Sequence, residues 1–297
     1  MKLPSFTKTY RQDTYPAIDP TRPEVSAKDK TVIVTGAGIG GIGSEVALSF
    51  AKAGAPNIAL IGRTGKTLEE TRTAVVSACP ETNVFIAVAD VSKAESIGRA
   101  AHDIRAALGA WDIFANFAAV LPPASTIAGA DEDAWWQAFE ITVRFPFHFA
   151  KHFMPKARPN ATFINVNAGA SHIPAARMPK NSAYSAAKLA AAKLDDYLAA
   201  EHPTLRVFTV HPGVVDTPLF RHAIAGVAEK DLPKGAVLDK VALPAHFTVW
   251  LASAEAEFLR GRYIWVNWDV EELIDRREEI QADPSLFKII LGGWPFQ

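Results

Sequence analysis

The strongest constraint on this chain is a repeated switch of hydrophobic period. From Thr31 onward, short runs rich in β-branched residues alternate with longer amphipathic stretches. The order is TVIVT then 42–54, NIALI then 67–78, NVFIAVA then 92–108, WDIFANF then a long stretch to about 157, ATFINV then 181–202, LRVFTV then 241–253, and finally RYIWVN. Short continuous apolar runs read as buried strands, and the longer stretches between them read as helices. Strands that alternate with helices pair in parallel through right-handed crossovers, which place helices on both faces. The expected fold is therefore α/β: a Rossmann-type, doubly wound, parallel sheet of seven strands.

With 297 residues, 49% of them hydrophobic, the chain can bury one large core. We expect a single catalytic domain over 31–268. Residues 1–30 carry Pro4, Pro16, Pro20 and Pro23 among polar residues and are expected to form an extended surface arm. Residues 269–297 read as one polar helix, DVEELIDRREEIQ, and an apolar end with Trp294, Pro295 and Phe296, packed on the same domain. The stretch 216–240 holds Pro218, Gly226, Pro233 and Gly235 without a strand period, and is the expected lid where substrate choice is made. A net charge of -1 leaves no surplus cation for phosphates, so nucleic acid is not an expected partner. The opening residues hold no apolar run of leader or membrane-spanning length, and the lone Cys79 has no intrachain partner, so the expectation is a cytoplasmic protein without a membrane contact.

The first strand runs into Thr35-Gly36-Ala37-Gly38-Ile39-Gly40-Gly41-Ile42-Gly43, and a helix follows. Glycines let a pyrophosphate approach the backbone, and a helix N-terminus offers N–H donors and a positive dipole end. After the second strand, where an acidic residue would bind the ribose hydroxyls of NAD, the chain reads Gly62-Arg63-Thr64. No carboxylate repels a 2′-phosphate there, and Arg63 can pair with one, so NADP(H) is the expected cofactor. Asp90-Val91, after the third strand, fits either a contact to the adenine amino group or a helix cap before Ser92.

Tyr184 and Lys188 lie four residues apart on a predicted helix, within Ala183-Tyr184-Ser185-Ala186-Ala187-Lys188, and so share one face. A cation beside a phenol favours phenolate and is expected to lower the tyrosine pKa. With His211-Pro212-Gly213-Val214-Val215-Asp216-Thr217 after the sixth strand and the glycine loop at the first, the chain resembles the short-chain dehydrogenase/reductase family over about residues 30–268. The resemblance implies that Tyr184 exchanges a proton with a carbonyl or alcohol. Lys188 would lower its pKa and bind the nicotinamide ribose. Pro212, Gly213, Val215 and Thr217 would hold the carboxamide and position the lid. It also implies a homodimer or homotetramer paired through the fifth and sixth helices. The proline-rich arm and the tail with Trp265-Val266-Asn267-Trp268-Asp269 resemble a filamentous-fungal, secondary-metabolism branch of the family, which implies a bulky small-molecule substrate.

The pattern departs from the family in the catalytic set. Ala168 stands where the carbonyl-orienting serine is expected, and Thr142 stands for the asparagine that holds a relay water. The segment after the fourth strand reads Asn116-Phe117-Ala118-Ala119 instead of Asn-Asn-Ala-Gly, and the glycine loop is one residue longer than usual. Two readings compete. Either Asn167, Ser171 or Thr142 supplies the missing donors and the protein is an NADPH-dependent reductase/dehydrogenase, or it is a non-redox isomerase, cyclase or dehydratase that uses Tyr184 for proton transfer with the nucleotide as a structural element. A nucleotide-sensing protein without catalysis is a further possibility. His172 is a candidate pocket residue. His148 and His152 lie four apart but have no third ligand, so no metal is expected. The long stretch bearing them, with Trp135, Trp136, Phe139, Phe145, Phe147, Phe149 and Phe153, reads as core or subunit interface.

Overall fold

All seven apolar runs are strands of one parallel sheet in the computed structural model, which describes residues 5–224 and 238–292. They are β1 (Thr31–Thr35), β2 (Asn57–Gly62), β3 (Asn83–Val88), β4 (Trp111–Asn116), β5 (Ala157–Val166), β6 (Arg206–His211) and β7 (Tyr263–Trp265), in the spatial order β3-β2-β1-β4-β5-β6-β7. Every residue of β1 is buried, as a strand covered on both faces must be. Its side chains divide by the strand's period of two. Val32 and Val34 enter the layer that also holds Phe50, Phe247 and Trp250, while Ile33 enters the opposite layer with Phe114, Phe149 and Phe163. The order reverses between β1 and β4, so a crevice opens beyond their C-terminal ends.

The helices are α1 (Ile42–Lys52), α2 (Gly65–Ala78), α3 (Ala94–Leu108), α4 (Glu132–Thr142), α5 (Arg144–His152), α6 (Ser182–Glu201), α7 (Pro218–Ile224), α8 (Ala242–Ala252), α9 (Val270–Asp275) and α10 (Arg277–Ala282). Two expectations need correction. The long aromatic stretch is two helices that break at Val143, because Pro146 lacks an N–H and its ring would collide with the Thr142 carbonyl four residues earlier. The break sorts the aromatics: Phe145, Phe149 and Phe153 turn inward onto Phe114, whereas Trp136 and Phe147 face outward. The tail helix is likewise divided at Arg276, whose guanidinium leaves the helix to donate to the Phe6 carbonyl at 2.7 Å and lie over the Phe6 ring.

The N-terminal arm crosses the surface and is tied to the tail. Tyr10 forms an antiparallel bridge with Trp268, Arg11 pairs with Asp269 at 2.6 Å, and the Tyr15 hydroxyl accepts from Val270 N–H at 2.9 Å. Ile18 and Val25, in two 3-10 turns of the arm, are buried in the core. Of the stretch expected as a lid, α7 and the return at 238–240 are described; Gly226, Pro233 and Gly235 lie outside the described residues, as do Trp294, Pro295 and Phe296. No helix among the described residues is long and apolar enough to cross a membrane.

Candidate active site

The crevice at the strand ends is a cavity of about 320 Å³. Its floor is the glycine loop between β1 and α1. Gly36 has φ +64°, and a Cβ there would stand 2.5 Å from the Phe117 carbonyl oxygen, so only glycine lets this turn lie against the β4 strand end. The loop is held on its far side by Ile39 N–H donating to the Thr67 carbonyl at 3.1 Å and by Thr71 Oγ1 donating to the Ala37 carbonyl at 2.7 Å. Gly40, in the stretch that carries the additional residue, also has positive φ, and Gly41 N-caps α1. An α-helix leaves its first N–H groups without intrahelical partners, and α1 starts on the wall of the cavity.

Gly36, Gly38, Gly41, Ile42, Arg63, Thr64, Asp90, Val91, Ala118, Asn167, Tyr184, Lys188, Pro212 and Thr217 all line this cavity. Gly40, Gly43, Asn116, Gly213 and Val215 do not line it. Gly43 packs against the Gly36 carbonyl, Asn116 is buried under the floor, and Gly213 turns at φ +78° against the Asp239 carboxylate, which accepts from Val214 N–H at 2.7 Å. Asp90 faces the cavity, and its Oδ1 accepts from Ser92 N–H and Oγ at 2.9 and 2.8 Å, a local turn ahead of α3 and not its cap, since Lys93 stands at the N-cap. Burial works against its charge, but the Ser92 bonds and nearby Arg63 more than compensate and hold the carboxyl below its usual range. Phe117, Ile141, Val166 and Leu219 complete the walls. No motif singles them out, because apolar residues at strand ends look like any other core positions.

Tyr184 and Lys188 stand on the face of α6 that closes this cavity, with the Lys188 nitrogen 5.8 Å from the Tyr184 ring centre and donating to the Val166 carbonyl at 2.8 Å. The expected lowering of the tyrosine pKa is not what the surroundings produce. Burial pushes Tyr184 up to about 12 and Lys188 down to about 8, because the dry pocket penalises both charged forms. Near neutral pH the phenol thus carries its proton and the lysine remains largely ammonium. Tyr184 also lines a second cavity of about 300 Å³, walled by Pro122, Pro123, Ser125, Trp135 and Asn181.

The three residues considered as stand-in donors are placed very differently. Ser171 is turned away from both cavities; its Oγ lies 3.2 Å from His172 Nδ1 and donates to the Tyr263 hydroxyl at 3.4 Å. His172 follows it, packing on Tyr263 and Trp265. Asn167 reaches the cavity wall with its amide committed, donating to the Lys188 carbonyl and accepting from Ala168 N–H, both at 2.8 Å. Thr142 Oγ1 is buried without a partner among the described residues, beside the cavity residue Ile141. His148 is buried on α5, its ring 6.2 Å from that of His152, and neither histidine lines the cavity.

The chain is similar in sequence and fold to several known proteins. A family model described as short chain dehydrogenase matches residues 30–227. The short chain dehydrogenase/reductase AacuD of Aspergillus aculeatus is 33% identical over 289 residues, covering 95% of each chain. The short chain dehydrogenase mpl6 of Monascus purpureus is 34% identical over 296 residues, covering 96% of each. Among solved structures, L-sorbose reductase from Gluconobacter frateurii, complexed with NADPH and L-sorbose, superposes with a TM-score of 0.72 at 23% identity, over 83% of this chain and 98% of that one. A Shigella flexneri short chain dehydrogenase complexed with NADP gives 0.69 at 20% identity, over 82% and 99%. The two structural likenesses are likenesses of fold.

Proposed function

The chain is an oxidoreductase of the short chain dehydrogenase/reductase family, and from that premise we propose that it reduces the carbonyl of a bulky small molecule, or oxidises the matching alcohol, with NADP(H). The observation that carries the reading is the placement of Tyr184 and Lys188 on the wall of the cavity floored by the glycine loop. The residues fit a dinucleotide. Gly36 lets the loop backbone lie against the β4 end on the cavity floor, the start of α1 offers N–H donors, and Arg63 stands at the rim with a guanidinium suited to a phosphate. Bound nicotinamide supplies the hydride chemistry that no side chain here can supply.

The proton is handled by the chain itself. Tyr184, a neutral phenol near neutral pH, donates its proton to the carbonyl oxygen as negative charge develops there. The Lys188 ammonium, about one turn along α6, stabilises the phenolate left behind and is placed to hold ribose hydroxyls. In the oxidative direction Tyr184 must first lose its proton, so the environment favours reduction over oxidation at neutral pH. Of the three stand-ins, Thr142 has the uncommitted hydroxyl, and we assign it the relay position on α4. The second cavity, with the Trp135 indole and the Pro122-Pro123 wall, suits a substrate with a large flat apolar body. Its size agrees with a natural-product substrate of the kind the fungal resemblance implies. We further propose a homo-oligomer in which outward-facing Phe147 of α5 and Trp136 of α4 are covered.

A non-redox proton transfer by the same Tyr184 is the second reading. What favours it is Ala168, which has no side-chain donor, together with Ser171 facing away from the cavity. The cofactor assignment separates from the chemistry and is tested at Arg63. Arg63→Glu is expected to weaken NADPH binding by about tenfold to a hundredfold, the value of a charge-assisted bond to the 2′-phosphate, and to leave NADH binding nearly unchanged. Fluorescence titration of both nucleotides measures this. Equal losses for the two would mean that Arg63 does not read the 2′-phosphate.

A further inference from the structure

Two turns beyond Lys188 on the same face of α6, Asp195 is 2% exposed, in a place where a carboxylate is expensive to keep. Asn165 Nδ2 donates to its two oxygens at 2.9 and 3.0 Å, and Thr209 Oγ1 donates to Oδ2 at 2.8 Å. The bonds continue away from it: Asn116 Nδ2 donates to Asn165 Oδ1 at 2.7 Å, Thr35 Oγ1 donates to Asn116 Oδ1, and Ala118 N–H donates to Thr35 Oγ1 at 3.2 Å. One buried network thus joins α6, β6, β5, β4 and β1, and it ends at the residue next to Gly36 in the glycine loop. Every side chain reaching Asp195 arrives as a donor, which suits an ionised carboxylate, an acceptor at both oxygens.

Burial raises the Asp195 pKa to about 7, and the Thr209 and Asn165 bonds oppose the rise. Lys188, on the same helix, favours its charge; Asp196, beside it, disfavours it, but is itself paired with Lys288 at 2.9 Å and Lys193 at 3.6 Å. The elements packed on α6 bring other titratable groups. Arg206 of β6 pairs with Glu257 at 2.6 Å, His211 of β6 accepts from Gly169 N–H, and Tyr263 of β7 stays a neutral phenol. On α4 and α5, Glu140 pairs with Arg144, and buried His148 is held toward its neutral form. Among the described residues Lys188 itself bonds only to a neutral carbonyl, and Asp195 is the charged group that favours its ammonium.

We propose that Asp195 is a positioning residue of this site: its buried carboxylate keeps the Lys188 ammonium charged above neutral pH and ties the Lys188 helix to the strand ends that floor the cavity. This rests on the reading of that cavity as a nucleotide site with Lys188 as its cation. The sign follows from charge. Neutralising Asp195 makes the ammonium less favourable, so Lys188 gives up its proton at lower pH and its hold on ribose hydroxyls fades sooner as pH rises.

The test is NADPH titration of the full chain at about pH 6 and about pH 8.5 in wild type and Asp195→Asn, which keeps the shape and removes the charge. The ratio of the dissociation constants, high pH over low, is expected to be larger in Asp195→Asn by about fivefold or more, as a downward shift of about one pKa unit requires. An equal ratio in both proteins, even with uniformly weaker binding in the variant, would show a purely structural residue and overturn the proposal. If Asp195→Asn does not fold, Asp195→Ser takes its place; it too removes the charge and moves the ratio the same way, and an unmoved ratio overturns the proposal as well. A shifted ratio in a protein that reduces no carbonyl upholds Asp195 and removes only the reductase reading. Absence of NADPH binding by wild type at either pH overturns both.

Discussion

Tyr184→Phe is expected to lower turnover by roughly 10³-fold while NADPH binding stays within a few-fold of wild type. The substitution removes one oxygen and leaves the ring on the wall between the two cavities, so nucleotide and substrate keep their packing surface. What is lost is the proton donor. The phenol pKa of about 12 places it above solution pH and below that of an alkoxide, so the proton is present and transfers downhill as the carbonyl is reduced. Steady-state rates with NADPH, set beside fluorescence titration of the same variant, separate the two effects. Turnover at the wild-type rate in Tyr184→Phe would place the acid on another residue.

The second large effect is expected at Gly36. In Gly36→Ala the new Cβ would meet the Phe117 carbonyl oxygen at 2.5 Å and carbon at 2.6 Å, backbone atoms of a residue whose N–H donates to the Thr35 carbonyl at 3.2 Å, and the residue would keep a φ of +64° that alanine adopts only at a cost. Strain and overpacking together are worth about 3 kcal/mol or more, which for a chain of this size lowers the melting temperature by roughly 5 °C or more. Nucleotide binding should fall by more than about tenfold, because the loop can relieve the clash only by moving the N–H donors at the start of α1. Thermal melts with and without NADPH measure both losses. A variant with unchanged melting temperature and unchanged affinity would mean that the loop is an ordinary turn and not a phosphate cradle.

The sheet was legible in the sequence because its central strands are covered on both faces and so appear as unbroken apolar runs; β1, buried at every residue, is the clearest case. The glycine loop and Tyr184-x-x-x-Lys188 were legible for a different reason, since spacing along the chain fixes their geometry. The break at Val143 was signalled by Pro146, but the aromatic residues on either side form one apolar stretch that conceals it. Where the stand-in donors would face was not legible. Ser171 is near the right place in the sequence, yet the 3-10 turn at Gly169–Ser171 turns its hydroxyl onto Tyr263. The direction of the Tyr184 shift was missed because adjacency reveals the cation but not the dryness of the pocket. Asp195 was missed altogether: an aspartate two turns along a helix with Lys193 and Asp196 beside it reads as a solvated face until the strands beneath it are placed.

Hydride transfer from NADPH to a carbonyl is the reaction proposed for this site. Its most direct test is to supply NADPH deuterated at either face of C4 together with a panel of bulky aromatic ketones, and to read product masses. The expected product is an alcohol that carries the deuterium from one of the two labelled cofactors. A product of the same mass as its substrate, or a tightly held NADPH that keeps its label with every ketone and alcohol tried, would contradict it.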